Sequence, residues 1–202
     1  QSSLLRVGDK VIVVSDAVAV QMQRRGIALA KLRTVTNGTI GGALRPPYRG
    51  TPELLEHPAV VTVCGLHSRK GVAHLIDAFD IVRRSNSAAQ LYIVGGGPEQ
   101  PDFEARARAT PSADHIHFLG YREDPRDVLA SADVFVLASL QDPCPLVIFE
   151  AREMGNPIIA SAVDGIPAAL AEGRRGVLVR PADAEALARE IVRVLADAEL
   201  RA

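Results

Sequence analysis

The stretch "AVVTVCGLHSRKGVAHLIDAF", residues 59–79, decides the fold. Its first six residues are apolar and mostly β-branched, as in a short strand covered on both faces. Val72, Leu75, Ile76 and Phe79, with Val82 just beyond, recur at the spacing of one helix face. Between the two, "GLHSRKG" turns the chain. Strand, short loop and amphipathic helix together make the repeating unit of an α/β protein.

The same unit recurs downstream. Strands are expected at "QLYIVG" (90–95), "HIHFLG" (115–120), "DVFVLAS" (133–139), "PIIAS" (157–161) and "GVLV" (176–179), with helical patterns between them. The last pattern places Leu187, Ile191, Val194 and Ala198 on one face, with Asp183 as its cap and Glu185–Arg189 as an outer pair. About six strands with intervening helices predict a doubly wound, mostly parallel, Rossmann-like sheet. In such sheets ligands bind outside the carboxyl ends of the strands, where the strand order reverses.

Upstream, "VIVV" (11–14) and "LRTVT" (32–36) read as two strands flanking a helical segment. The stretch from Gly38 to Pro58 then carries four glycines and four prolines, a density that breaks regular structure. It reads as a connection. Residues 1–50 are expected to be the end of a preceding domain with this connection, and residues 51–202 the sheet domain. The chain opens on Gln1 and enters structure almost at once, as a piece of a longer protein would.

Composition narrows the function. Apolar residues make up 48% of the 202 and charged residues 23%, with a net charge of −1. No broad basic field favours nucleic acid or an anionic membrane. No apolar run reaches the length of a membrane helix and no signal peptide is visible, so a cytoplasmic place is expected. Cys64 and Cys144 have neither CxxC nor zinc spacing and read as thiols. "NGT" at Asn37 matches a glycosylation sequon and reads as a turn.

The loops after the strands hold the candidates for chemistry. Arg69 and Lys70 are adjacent cations at a helix start, which suits an anion such as a phosphate; two solvated surface cations are the alternative. "VGGGPE" (94–99) lacks the third glycine of the dinucleotide fingerprint. It either lets a backbone approach a ligand or simply makes a tight turn. In "DPCPLVIFE" (142–150) a helix starting near Leu146 turns Val147, Ala151 and Met154 inward and leaves Glu150 at the edge of that stripe. A half-buried carboxylate there can grip the two hydroxyls of a ribose, or serve the helix dipole. Pro143 and Pro145 have no N–H, so Cys144, Leu146 and Val147 are the backbone donors available to a phosphate. His115 and His117 are expected on one side of a strand, with no third metal ligand evident.

In this order and spacing, "VCGLHSRKGVAHLIDAF", "LYIVGGGPE", "IHFLGY", "DPCPLVIFEAREMGNPIIAS" and "VDGIPAAL" resemble the C-terminal, donor-binding domain of retaining GT-B glycosyltransferases of family 4, the glycosyl transferases group 1. The resemblance covers three quarters of the chain. It implies the donor half of an enzyme that moves a sugar from a UDP- or GDP-sugar to an acceptor hydroxyl with retention, without a metal or other cofactor. Lys70 and Asp142 take the catalytic positions: Lys70 that of the phosphate-binding lysine, Asp142 that of the acid facing the donor sugar. Gly65, Arg69, Gly96, Tyr121, Cys144, Leu146, Val147 and Glu150 join Lys70 around the nucleotide, with Glu150 on the ribose. The acceptor and any membrane contact belong to the N-terminal domain, most of which the resemblance puts outside this chain, so this piece alone is expected to be inactive.

The sequence also departs from the family pattern. Cys64-Gly65-Leu66 stands where the family carries Gly-Arg-Leu, leaving Arg69 or His67 to supply the missing cation. Asp164 replaces a glycine and Ala168 a glutamate. These departures keep two other readings open: a nucleotide-sugar-binding module without catalysis, and a GT-B sugar-nucleotide epimerase.

Overall fold

The structure, a computed structural model, describes residues 9–37, 55–123 and 125–201. The expected boundary at residues 50 and 51 lies outside these.

The main body is a six-stranded sheet in the order β5-β4-β3-β6-β7-β8, with every neighbouring pair parallel. Its strands are β3 (Ala59–Val63), β4 (Gln90–Val94), β5 (Ile116–Gly120), β6 (Val134–Leu137), β7 (Ile158–Ser161) and β8 (Val177–Val179). All six strands fall inside the stretches expected to form them. A smaller parallel pair, β1 (Val11–Val13) and β2 (Leu32–Thr34), precedes the sheet. Helix α1 (Asp16–Arg24) connects this pair, capped by the Ser15 hydroxyl, which accepts from the Val18 N–H. Val13, Ala19, Ile27 and Leu32 make its small core.

Strand alternation sorts the apolar side chains onto two faces. Val60, Leu91, Ile93, Val134 and Val136 meet helices α2 (Val72–Ser85), α3 (Gln100–Arg108) and α7 (Ala184–Ala196) on one side. Ala59, Val61, Tyr92, Val94, Phe135 and Leu137 face α4 (Arg126–Leu129), α5 (Leu146–Glu153) and α6 (Ile166–Ala169) on the other. Both faces are covered, which is why the strands read as continuous apolar runs. The expected stripe of α2 is buried in full, from Val72 to Val82. Burying each of its larger side chains contributes about 1.5–3 kcal/mol.

Several local expectations are corrected. Ala198 lies outside α7: Asp197 turns extended, and its carboxylate accepts from the Glu199 N–H to start α8 (Ala198–Arg201). A short acidic side chain competes with the helix backbone in this way. The acid–base pairs beside α7 are Arg180–Asp183 and Glu190–Arg193. Among the described residues Glu185 and Arg189 form no ion pair. In α5 the fully buried residues are Ile148 and Ala151, while Val147 and Met154 flank them half-buried. His115 closes a 3-10 turn before β5 rather than lying on the strand. Gln90 engages both imidazoles, at 3.2 Å from His115 Nδ1 and 2.9 Å from His117 Nε2, and His117 stacks on Tyr92.

Candidate active site

The strand order fixes where the site lies. From β3 the chain winds outward over β4 and β5, then returns to β6 on the other side of β3. The loops leaving β3 and β6 therefore diverge at their carboxyl ends, and a crevice opens between them.

Close backbone packing joins these two loops. The N–H groups of Leu140 and Gln141 both donate to the Arg69 carbonyl, at 2.8 and 3.1 Å. Gly71 has a left-handed φ of 65°, and a Cβ there would run into the Ala138 carbonyl. Only glycine fits such a position without strain. The 3-10 turn Ser68–Lys70 is held against the β6 loop as a result.

Lys70 reaches across the crevice from that turn. Its Nζ lies 2.5 Å from Asp142 Oδ2, and the buried Ser139 hydroxyl donates to the same oxygen at 3.2 Å. The Asp142 side chain is 6% exposed and that of Lys70 16%. Two charges so withdrawn from water are tolerable because each offsets the other's lost hydration. The lysine head is thereby held at the switch point. An ammonium carries three N–H bonds, and Asp142 engages one of them.

A hollow of about 300 Å³ adjoins this pair at the carboxyl ends of β3, β4 and β5. Its walls bring together the predicted residues Gly65, Gly96 and Tyr121 with Cys64 and Arg122. Tyr121 stands at the rim, 80% exposed. Arg122 pairs with Asp127 at 3.0 Å. The Leu66 N–H donates to the Gly96 carbonyl at 3.0 Å, so two glycine-lined loops share one wall. Burial pushes the Cys64 thiol up to about 11, against the opposing pull of Lys70. A Cβ on Gly65 would meet the His67 ring at 3.2 Å. Of the two side chains considered for the missing arginine, His67 is thus beside its place, while the Arg69 side chain is exposed to solvent.

The remaining predicted residues gather at the start of α5. Pro145 precedes the helix, and no side chain among the described residues caps it. A helix start of this kind directs N–H groups and positive partial charge outward. Leu146 is 52% exposed there, Val147 and Glu150 are half-buried, and Cys144 is buried with its thiol also raised by burial. The Cys144 carbonyl accepts from Asn37 Nδ2 at 3.4 Å.

Sequence reasoning missed three participants. Ser139 braces Asp142, Arg122 lines the hollow, and Asp164 accepts from the Asp142 N–H at 2.8 Å. Asp164 was visible as a departure from the family's glycine, but its partner lies 22 positions earlier and no local pattern announces it.

Comparison with known proteins agrees with this architecture. The pattern that defines the glycosyl transferases group 1 matches residues 57–197. The chain is 31% identical over 174 residues to the lipopolysaccharide core biosynthesis glycosyltransferase LpsE of Rhizobium meliloti (strain 1021), covering 85% of this chain and 49% of LpsE. It superposes on the sucrose-phosphate synthase of Thermosynechococcus elongatus with a TM-score of 0.81 at 28% identity, covering 98% of this chain and 52% of that one. Against Anabaena HepE, solved with UDP and glucose, the TM-score is 0.83 at 22% identity, with coverage of 96% and 55%. The chain spans about half the length of these proteins. With the six-stranded parallel sheet and its switch-point crevice, the match places the chain in the glycosyl transferases group 1 family, as the C-terminal domain of the GT-B fold.

Proposed function

We propose that the intact protein transfers a sugar from a nucleoside-diphosphate sugar, UDP- or GDP-linked, to an acceptor hydroxyl with retention of configuration. This chain supplies the donor half. The observation that carries the reading is the Lys70–Asp142 pair across the switch point, beside an uncapped helix start and a glycine-walled hollow.

In this reading the diphosphate lies against Lys70 and the first N–H groups of α5, and Glu150 accepts from the ribose hydroxyls. As the bond between the sugar and the diphosphate breaks, negative charge grows on the phosphate oxygens and positive charge on the sugar. The Lys70 ammonium and the helix start are fixed before that charge appears, so they stabilise it without reorganising. Asp142 has two tasks. Its Oδ2 holds Lys70, and as a carboxylate it keeps acceptor capacity for a hydroxyl of the donor sugar. The leaving charge is met by protein groups, so no metal is required.

Calorimetric titration of the full-length protein with UDP, GDP and ADP, beside the corresponding nucleosides, tests the reading. Lys70→Ala is expected to weaken the preferred diphosphate by about tenfold or more, the worth of a hydrogen bond to a charged group, and to spare the nucleoside. Equal losses for both would remove Lys70 from the phosphate.

A further inference from the structure

We infer that Asp164 is a positioning residue for the donor site: it ties the Asp142 loop to helix α1 and so sets where Lys70 is held. The inference rests on the reading of Lys70 and the α5 start as the diphosphate site.

Asp164 sits between β7 and α6 with a φ of 45°, in the left-handed region. Glycine is the usual occupant there, and aspartate is among the few other residues tolerated. Its side chain gives a reason for the exception. Oδ2 accepts the Asp142 N–H at 2.8 Å, and Oδ1 lies 3.4 Å from Gln21 Nε2 on α1. The next residue, Gly165, donates its N–H to the Asp142 carbonyl at 3.3 Å. Both backbone polar groups of Asp142 are therefore held by Asp164 and Gly165. A Cβ on Gly165 would run into the Pro143 carbonyl and come within 3.0 Å of Ser15 Cβ. The loop, the turn and the start of α1 are thus packed nearly backbone to backbone.

The Asp142 loop has little means of holding itself. Pro143 and Pro145 have no N–H, and the Asp142 N–H, in a buried residue, requires an acceptor. A carboxylate is a stronger acceptor than a carbonyl. Setting two carboxylates side by side is unfavourable unless each has its own donors. Here Asp142 has Lys70 and Ser139, while Asp164 has the Asp142 N–H and Gln21. Gln21, Asp164, Asp142 and Lys70 form one chain of contacts from the preceding unit to the phosphate site. A shift of the Asp142 backbone moves the carboxylate that holds Lys70 and the loop that leads into α5.

The test is a titration of the full-length protein with UDP, GDP, uridine and guanosine. Asp164→Gly removes both contacts and relaxes the backbone, Asp164→Asn keeps an oxygen of the same reach, and Gln21→Ala removes only the far contact. Asp164→Gly is expected to lower affinity for the preferred diphosphate about tenfold, as loss of a charge-assisted hydrogen bond would. Asp164→Asn keeps one oxygen for the Asp142 N–H and gives up the acceptor for Gln21, so it is expected to lose about threefold, as Gln21→Ala does, and well short of the Asp164→Gly loss. Gln21→Ala should cost about threefold alone and nothing further on top of Asp164→Gly, since both act through one carboxylate. Nucleoside affinity should not change in any variant. Wild-type diphosphate affinity in Asp164→Gly and Gln21→Ala, with a clear loss in Lys70→Ala, overturns the inference and leaves the site reading intact. Parallel losses of nucleoside and diphosphate also overturn it, since they indicate general damage to the fold. If the wild type binds no diphosphate, or Lys70→Ala binds as wild type does, the site reading fails and the inference with it.

Discussion

Lys70 and Asp142 are 72 positions apart, yet each is sheltered by the other and by Ser139. The sequence shows a lysine at a helix start and an acid before a proline, but not that they meet. Glu150 is half-buried in the helix that follows the Asp142 loop, α5. Glu150→Ala should weaken nucleoside-diphosphate binding by about 1.5–3 kcal/mol, the scale of hydrogen bonds to a charged acceptor. Calorimetry that finds unchanged affinity would remove it from the ribose. Cys64 lines the hollow half-buried. Burial raises its folded-state pKa from 9.0 to about 11, so the native protein holds that proton more tightly than the unfolded chain does. The stability this provides is complete below the unfolded value and is lost as pH rises through the folded one. Between pH 9.0 and about 11 the wild type should lose about 2 kcal/mol relative to Cys64→Ala, measured by urea unfolding across that window. Equal pH dependence in both proteins would mean that the fold does not raise this thiol's pKa.

Elements were more legible than contacts. The apolar β-branched runs announced β3 to β8 because both faces of the sheet are covered. The stripe from Val72 to Val82 announced α2 because one face of a helix must be buried. What failed was local detail decided by single polar side chains, as when Asp197 breaks the last helix and places Ala198 beyond it. The join between the β3 and β6 loops was legible only as a glycine. Its reason, the Ala138 carbonyl where a Cβ would lie, belongs to the packed structure. Gly71→Ala should therefore destabilise the fold by at least about 1–2 kcal/mol, the cost of a left-handed alanine before any steric term. Denaturant midpoints that match the wild type would show that the two loops are not locked together there.

At the scale of the molecule, alternating strands and helices specified a doubly wound sheet, and the strand order then fixed the crevice. Six loops leave carboxyl ends of strands, but only those after β3 and β6 part company at the point of reversal. The grip of the preceding unit on the donor loop, through Gln21 and Asn37, was not legible. Those contacts span more than 100 positions and carry no periodic signal. Among the described residues no helix is long and apolar enough to cross a membrane.

The central claim is that a diphosphate is bound between Lys70 and the start of α5. A crystal structure of the protein soaked with UDP or GDP tests it most directly. Phosphate oxygens within hydrogen-bond reach of Lys70 Nζ and of the Leu146 or Val147 N–H, with the ribose on Glu150, are the predicted result. A nucleotide bound elsewhere, with the Lys70–Asp142 pair undisturbed and Glu150 facing only solvent, would contradict it.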